Sequence, residues 1–156
     1  MSVRASIPIS ALVAGGAMLS VVVAAEKTIT RAQLPAAVER TVAAQSQGAT
    51  IKKFSTEMEG GRRIYEVQLV LRGRTRDISM NQGGEILEVE DEVVLAALPP
   101  AVQAGLRTSA GTGTIRKVES LTKKGTLVAY EAIVQTGKKQ REVQVGPDGK
   151  RLTRPE

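Results

Sequence analysis

Apolar residues recur every fourth position at two places in this chain. Leu34, Val38 and Val42 form one series and Leu98, Val102 and Leu106 the other, with polar Glu39, Arg40 and Gln45, or Gln103 and Arg107, between them. This spacing lays one apolar stripe along a helix of about three turns. Leu34-Pro35 and Leu98-Pro99-Pro100 head the two series. Proline suits the first turn of a helix, where its missing N–H leaves no hydrogen bond unmade. The pattern predicts two helices, each long enough to cover a sheet and too short to persist alone.

Beyond each helix the period changes from four to two. Ser46-Gln47-Gly48 and the Ser109 to Gly113 segment are loops, and residues 51–58 and 115–121 read as strands. Glu59-Gly60-Gly61-Arg62 and Lys123-Lys124-Gly125-Thr126 supply hairpin turns. In the next strand Tyr65, Val67, Leu69 and Leu71 alternate against Glu66 and Gln68, and Tyr130, Ala132 and Val134 alternate against Glu131 and Ile133. Gly73 and the Gly137-Lys138-Lys139 segment turn the chain into Ile78 and Met80, or Val143 and Val145. A final turn, Asn81-Gln82-Gly83-Gly84 or Gly146-Pro147-Asp148-Gly149, then leads to a short closing strand at Ile86-Leu87 or Arg151-Leu152.

The two passages are one text written twice, since Tyr65-Glu66-Val67 returns as Tyr130-Glu131-Ala132 and the match holds through the closing turn. The expected fold is α+β: two tandem repeats, residues 26–90 and 91–156, each one helix packed on a four-stranded antiparallel meander. One sheet face packs under the helix and the other meets solvent or a partner. Units of this size bury little core, so the copies are expected to lean on one another by joining sheets. Glu88 to Glu92 reads as a short solvated connector. Were it a strand, Glu88, Glu90 and Glu92 would share a face and, with Asp91, hold a hard cation loosely, but no glycine-bearing loop wraps them.

Residues 1–25 have a charged start at Arg4, an apolar run from Ile7 to Ala25 and small residues at its end, which reads as an export signal cleaved before Glu26. The alternative is an anchor left in place, and the small-residue end favours removal. The mature chain is then periplasmic or secreted.

Composition narrows the chemistry. There is no Cys and no His, so disulfides, thiol nucleophiles, imidazole bases and the usual zinc ligands are excluded. No Ser-centred elbow, lysine nucleophile or carboxylate pair stands out, and no cofactor is expected. The chain is poor material for an enzyme. Aromatic residues are 2% of the chain, which leaves an aliphatic core and few platforms for stacking bases. Nucleic acid is not an expected partner. The formal charge is +6, with ten basic and nine acidic residues in 26–90 against eleven and seven in 91–156. Such an excess suits weak contact with an anionic membrane surface, and it also keeps a small domain dispersed.

The Leu-Pro helix start, the Ile-led strand, Tyr-Glu-Val, the Arg-Asp-Ile or Arg-Glu-Val strand and the glycine turn before a closing Leu resemble the PepSY-like, or beta-lactamase-inhibitor-like, family in both copies. The resemblance implies exported, non-catalytic domains that bind or restrain other proteins such as peptidases. The tandem layout looks like the beta-lactamase inhibitory proteins, whose two units form one concave gripping sheet. This chain has neither their cysteines nor their aromatic-rich face. The expected partner is a protein of the cell envelope, and the candidate contact residues are Tyr65, Glu66, Arg72, Arg74, Arg76, Tyr130, Glu131, Lys138, Lys139 and Arg141. The tyrosines more commonly close a core with the hydroxyl at its edge. Glu66 and Glu131 alternate away from them towards the open face. The basic residues, joined by Arg62 and Arg63, would form a ridge if the copies stack, or else guard sheet edges against aggregation.

Overall fold

The computed structural model describes residues 26–156, and the export-signal reading of residues 1–25 lies outside the described residues. Eight strands run antiparallel in strict chain order in a single sheet: β1 (Lys27–Ile29), β2 (Thr50–Glu59), β3 (Arg62–Leu71), β4 (Arg74–Asn81), β5 (Ile86–Glu92), β6 (Thr114–Lys123), β7 (Thr126–Thr136) and β8 (Lys139–Val145). Two helices, α1 (Ala36–Gln45) and α2 (Pro100–Ala110), lie in the β1–β2 and β5–β6 connections. No helix among the described residues is long and apolar enough to cross a membrane.

Each helix starts where proline requires it. Pro35 and Pro99 are extended, with ψ of 147° and 142°, and the helices begin at the next residue. Two members of each expected stripe are buried on the helices, Val38 and Val42 on α1 and Val102 and Leu106 on α2, whereas Leu34 and Leu98 lie in extended backbone just ahead of them, because the prolines that follow hold the residue before them out of the helix. Under α1 lie Tyr65, Val67, Leu69, Ile78 and Met80, and under α2 lie Val118, Ala132, Val134, Val143 and Val145. The sheet is continuous and the core is not. Between the two clusters the helix-side positions are polar, with Arg76 bonded to Asp91 across β4 and β5 and Ser120 opposite Asp91 on β6.

The structure differs from the expected layout in three places. Residues 27–29 form an edge strand on β2, a segment too short to carry a period. Residues 88–92 are no connector: they lie in β5, a central strand bonded to β4 and β6. Their alternation of Glu88, Glu90 and Glu92 against Val89 is that of a strand with one apolar and one polar face. At the far end, Lys150-Arg151-Leu152 contributes only a bridge from Arg151 to Val145, so β8 is the last full strand.

The turn before each closing segment presses on a helix. Gly84 and Gly149 have φ of +77° and +80°, and a Cβ on them would lie 2.4 Å from the Ala37 carbonyl oxygen and 2.2 Å from that of Ala101. Thr41 of α1 donates a hydrogen bond to the Gly84 carbonyl at 2.7 Å. At the matching place α2 has Gly105, whose Cβ would stand 1.9 Å from the Gly149 carbonyl oxygen. One helix meets its turn through a hydroxyl and the other through a missing side chain. Alanine at an exposed helical glycine gains about 1 kcal/mol. Gly105→Ala should instead cost about 2 kcal/mol, because backbone cannot yield as a side chain can. Urea denaturation of the variant checks this, and a gain would show that the turn moves freely.

Candidate functional site

The face opposite the helices is lined by the side chains that alternate away from the two cores. Register places Lys53, Ser55 and Glu57 on β2, Glu66 and Gln68 on β3, and Asp77 and Ser79 on β4. Glu88, Glu90 and Glu92 follow on β5, and Lys117, Glu119 and Lys123 on β6. Glu131 on β7 and Glu142 and Gln144 on β8 follow, and apolar Ile64, Leu121, Ala129 and Ile133 share the same face among them. The carboxyl groups named here outnumber the lysines nine to three, in a chain whose net charge is +6. Acidic groups predominate on the open face, and most of the basic groups lie elsewhere.

Ion pairing neutralises only part of this surface. Lys53 pairs with Glu26 beside β2, Lys123 lies 3.6 Å from Glu88, and Lys117 lies 2.6 Å from Glu119 Oε1 at an angle unsuited to a hydrogen bond. Gln144 donates to Glu131 at 2.8 Å and Gln68 to Asp77 Oδ2 at a long 3.5 Å. Thr75 donates its N–H and its hydroxyl to Glu92.

The centre of the face is β4–β5–β6, directly over the seam between the two cores. Here Asp77, Glu90 and Glu119 converge, with one carboxylate oxygen from each lying within 4.8 Å of the others. Glu119 is 6% exposed and Glu90 9%. Asp77 Oδ1 and Glu119 Oε1 are sealed from solvent and accept no hydrogen bond. Burial and like charge push Asp77 and Glu90 towards the protonated form. Desolvation, then Glu119 and Glu88, raise Glu90 to about 9. Desolvation raises Asp77 to about 6, with Lys117 opposing it and Glu119 adding to it. Glu66 reaches about 7 through desolvation and then Asp77. Glu131 also reaches about 7, through desolvation against the Gln144 hydrogen bond.

The search against family models finds no match, and no curated protein matches either. Solved structures do. The chain is similar to a BLIP-like protein of Bacteroides fragilis, at 22% identity over 74% of this chain and 81% of that one, with a TM-score of 0.55. The fold is BLIP-like. A DUF2874 family protein of Bacteroides ovatus aligns at 16% identity over 78% of this chain and 86% of that one, TM-score 0.61. A Bacteroides eggerthii protein described as a candidate periplasmic protein aligns at 15% identity over 76% and 86%, TM-score 0.63.

On this BLIP-like sheet the residues singled out from sequence are dispersed. Glu66 and Glu131 are on the open face, each partly buried. Tyr65 is buried in the first core and Tyr130 packs against the second, both on the helix side. Arg76 bonds Asp91 on that side, and Arg141 donates to the carbonyls of Ser109 and Ala110, where α2 ends. Arg72 and Arg74 lie at the β3–β4 turn, Lys138 and Lys139 at the β7–β8 turn. Four strand spacings separate those turns, about 19 Å, so they do not form one ridge. Arg62 and Arg63 belong to the opposite end of the sheet. The group that sequence reading missed is Asp77, Glu90 and Glu119, which lie on three different strands.

Proposed function

We propose that this chain is an exported, non-catalytic binding module that holds a cationic segment of another envelope protein, such as a peptidase it restrains, against its open sheet face. Charge segregation carries the reading. A basic protein that places nine of its sixteen carboxyl groups on the one sheet face left uncovered by helices presents a surface complementary to lysine and arginine side chains. The BLIP-like fold supports the mode of binding, and the apolar N-terminal run together with the likeness to a candidate periplasmic protein supports the location. The neighbours' names carry no catalytic activity, in keeping with a chain that has neither His nor Cys. The two helix-and-strand units are read as a duplicated module whose sheets have fused edge to edge through β5 and β6.

The test uses a defined lysine-rich peptide together with capture from envelope extract. Wild type should bind the peptide more weakly as salt rises, because mobile ions screen exposed charge. Glu66→Gln with Glu131→Gln should weaken binding about tenfold while leaving the fold intact. A helix-side variant, Arg40→Gln, should bind as wild type does. Equal binding by the two variants, or retention by anionic vesicles in place of the peptide, would move the function off this face.

A further inference from the structure

We propose that the free edge of β8 takes up an extended acidic segment of a partner chain as a further antiparallel strand. The contact lies at the rim of the sheet rather than on its open face, and it stands or falls separately from the reading above. In the first copy β4 has a strand on either side, β3 and β5. Its counterpart in the second copy, β8, ends the sheet and is paired along its length with β7 alone. A closing strand begins there in the same register and stops. Val145 bridges Arg151 as Met80 pairs with Ile86, and the Leu152 N–H donates to the Gln144 carbonyl at 3.0 Å. Thr153 and Arg154 then bend away, and Pro155, at the place of Glu90 in the first copy, has no N–H to give a ladder.

Backbone groups on this edge are left without partners. The Gln144 carbonyl faces outward, and in an antiparallel strand every second residue points its N–H and C=O the same way. Gln140 and Glu142 therefore turn theirs to the edge, and no backbone group among the described residues meets them. Such a row is a template for another strand. Charge decides which strand it takes. Residues 138–156 hold six basic side chains against three acidic ones, and Lys138 and Lys139 are exposed at the β7–β8 turn. Lysine on an edge discourages a strand of like charge and admits one of opposite charge. The strand that closes β4 is of that kind: β5 carries Glu88, Glu90, Asp91 and Glu92, of which Asp91 pairs with Arg76 and Glu92 accepts from Thr75. Arg141 and Gln140 stand in β8 where Arg76 and Thr75 stand in β4. Arg141 reaches the carbonyls of Ser109 and Ala110 through Nη2, which leaves Nε and Nη1 for an incoming carboxylate.

The probe is a synthetic peptide of residues 86–93 carrying Glu90→Gln, which keeps an aspartate for Arg141 and sets no carboxylate against Glu142. Titrated into the isotope-labelled chain, it should shift the amide resonances of β8 and slow hydrogen exchange at Gln140 and Glu142 about tenfold, with weaker binding at high salt. The same peptide with lysine at its acidic positions should leave β8 unmoved. Lys138→Glu with Lys139→Glu, both exposed in a turn, should lose about tenfold in affinity. Glu142→Pro removes an outward N–H that β7 does not use and adds ring bulk at the edge, so strand addition should be lost although the edge becomes more basic. Affinity kept or raised in Glu142→Pro would mean attraction to surface charge in place of a strand. Peptide shifts confined to the open face or to β1 and β2 would overturn the proposal as well. So would a wild-type dimer in sedimentation that Glu142→Pro dissolves, since the edge would then belong to a second copy.

Discussion

Stability should fall steadily as pH rises from 5 to 9, and Glu90→Gln should remove the largest part of that fall. Glu90, Glu66, Glu131 and Asp77 hold their protons in the fold to about 9, 7, 7 and 6. In the unfolded chain the same groups ionise near pH 4. Below that pH both states are protonated and the contribution to stability is complete. Above it the unfolded chain sheds protons that the folded chain keeps, so each unit of pH costs about 1.4 kcal/mol per group until the folded group ionises as well. For Glu90 alone that is about 4 kcal/mol lost by pH 7, with further loss up to pH 9. Glu26 and Glu39 are shifted the other way, held below the usual carboxylate range by Lys53 and Arg31, so their contributions are lost only at more acid pH. Glutamine at position 90 has nearly the same volume, never ionises, and offers an N–H towards the unpaired Asp77 Oδ1. Urea midpoints across pH 5 to 9 measure both claims, with divalent ions chelated throughout. A flat wild-type profile would mean that these carboxyl groups stay hydrated.

The helices were legible because one element carries its own period: Val38, Val42, Val102 and Leu106 belong to the predicted stripes and are buried, and only Leu34 and Leu98, ahead of the prolines, fall outside the helices. Parity along β4 was legible too. Arg74 and Arg76 share it with Ile78 and Met80, which places them on the helix side, and Arg141 shares it with Val143 and Val145. Weighing β5 by its high charge hid a strand that its alternation announces. The carboxyl cluster was of another kind. Asp77, Glu90 and Glu119 meet only because β4, β5 and β6 pair with Asp77 opposite Glu90 and with Glu92 opposite Glu119. Register between strands depends on turns and bulges, such as the shift between Ser79 and Met80, and no local pattern encodes it. A single sheet of eight strands likewise follows from the β5–β6 ladder, a contact between copies that neither copy specifies alone.

That ladder gives Leu106→Ala a consequence beyond its cost. Leu106 is 0% exposed in the second core, and deleting its three outer carbons beneath α2 should cost about 3 kcal/mol in transfer and cavity terms. The two clusters share no buried side chain, and what joins them is the backbone pairing of β5 with β6 from Glu88–Lys123 to Glu92–Glu119. Backbone bonds between strands resist separation less than a common core does, because water can replace them. The loss should therefore fall on one half. Native-state hydrogen exchange should show amides of α2 and β6–β8 opening at least a hundredfold more often, while those of α1 and β2–β4 keep most of their protection. Val42→Ala should do the reverse. Uniform loss of protection across all eight strands in either variant would mean that the sheet opens as one cooperative unit, with the polar seam as firm as the cores on either side of it.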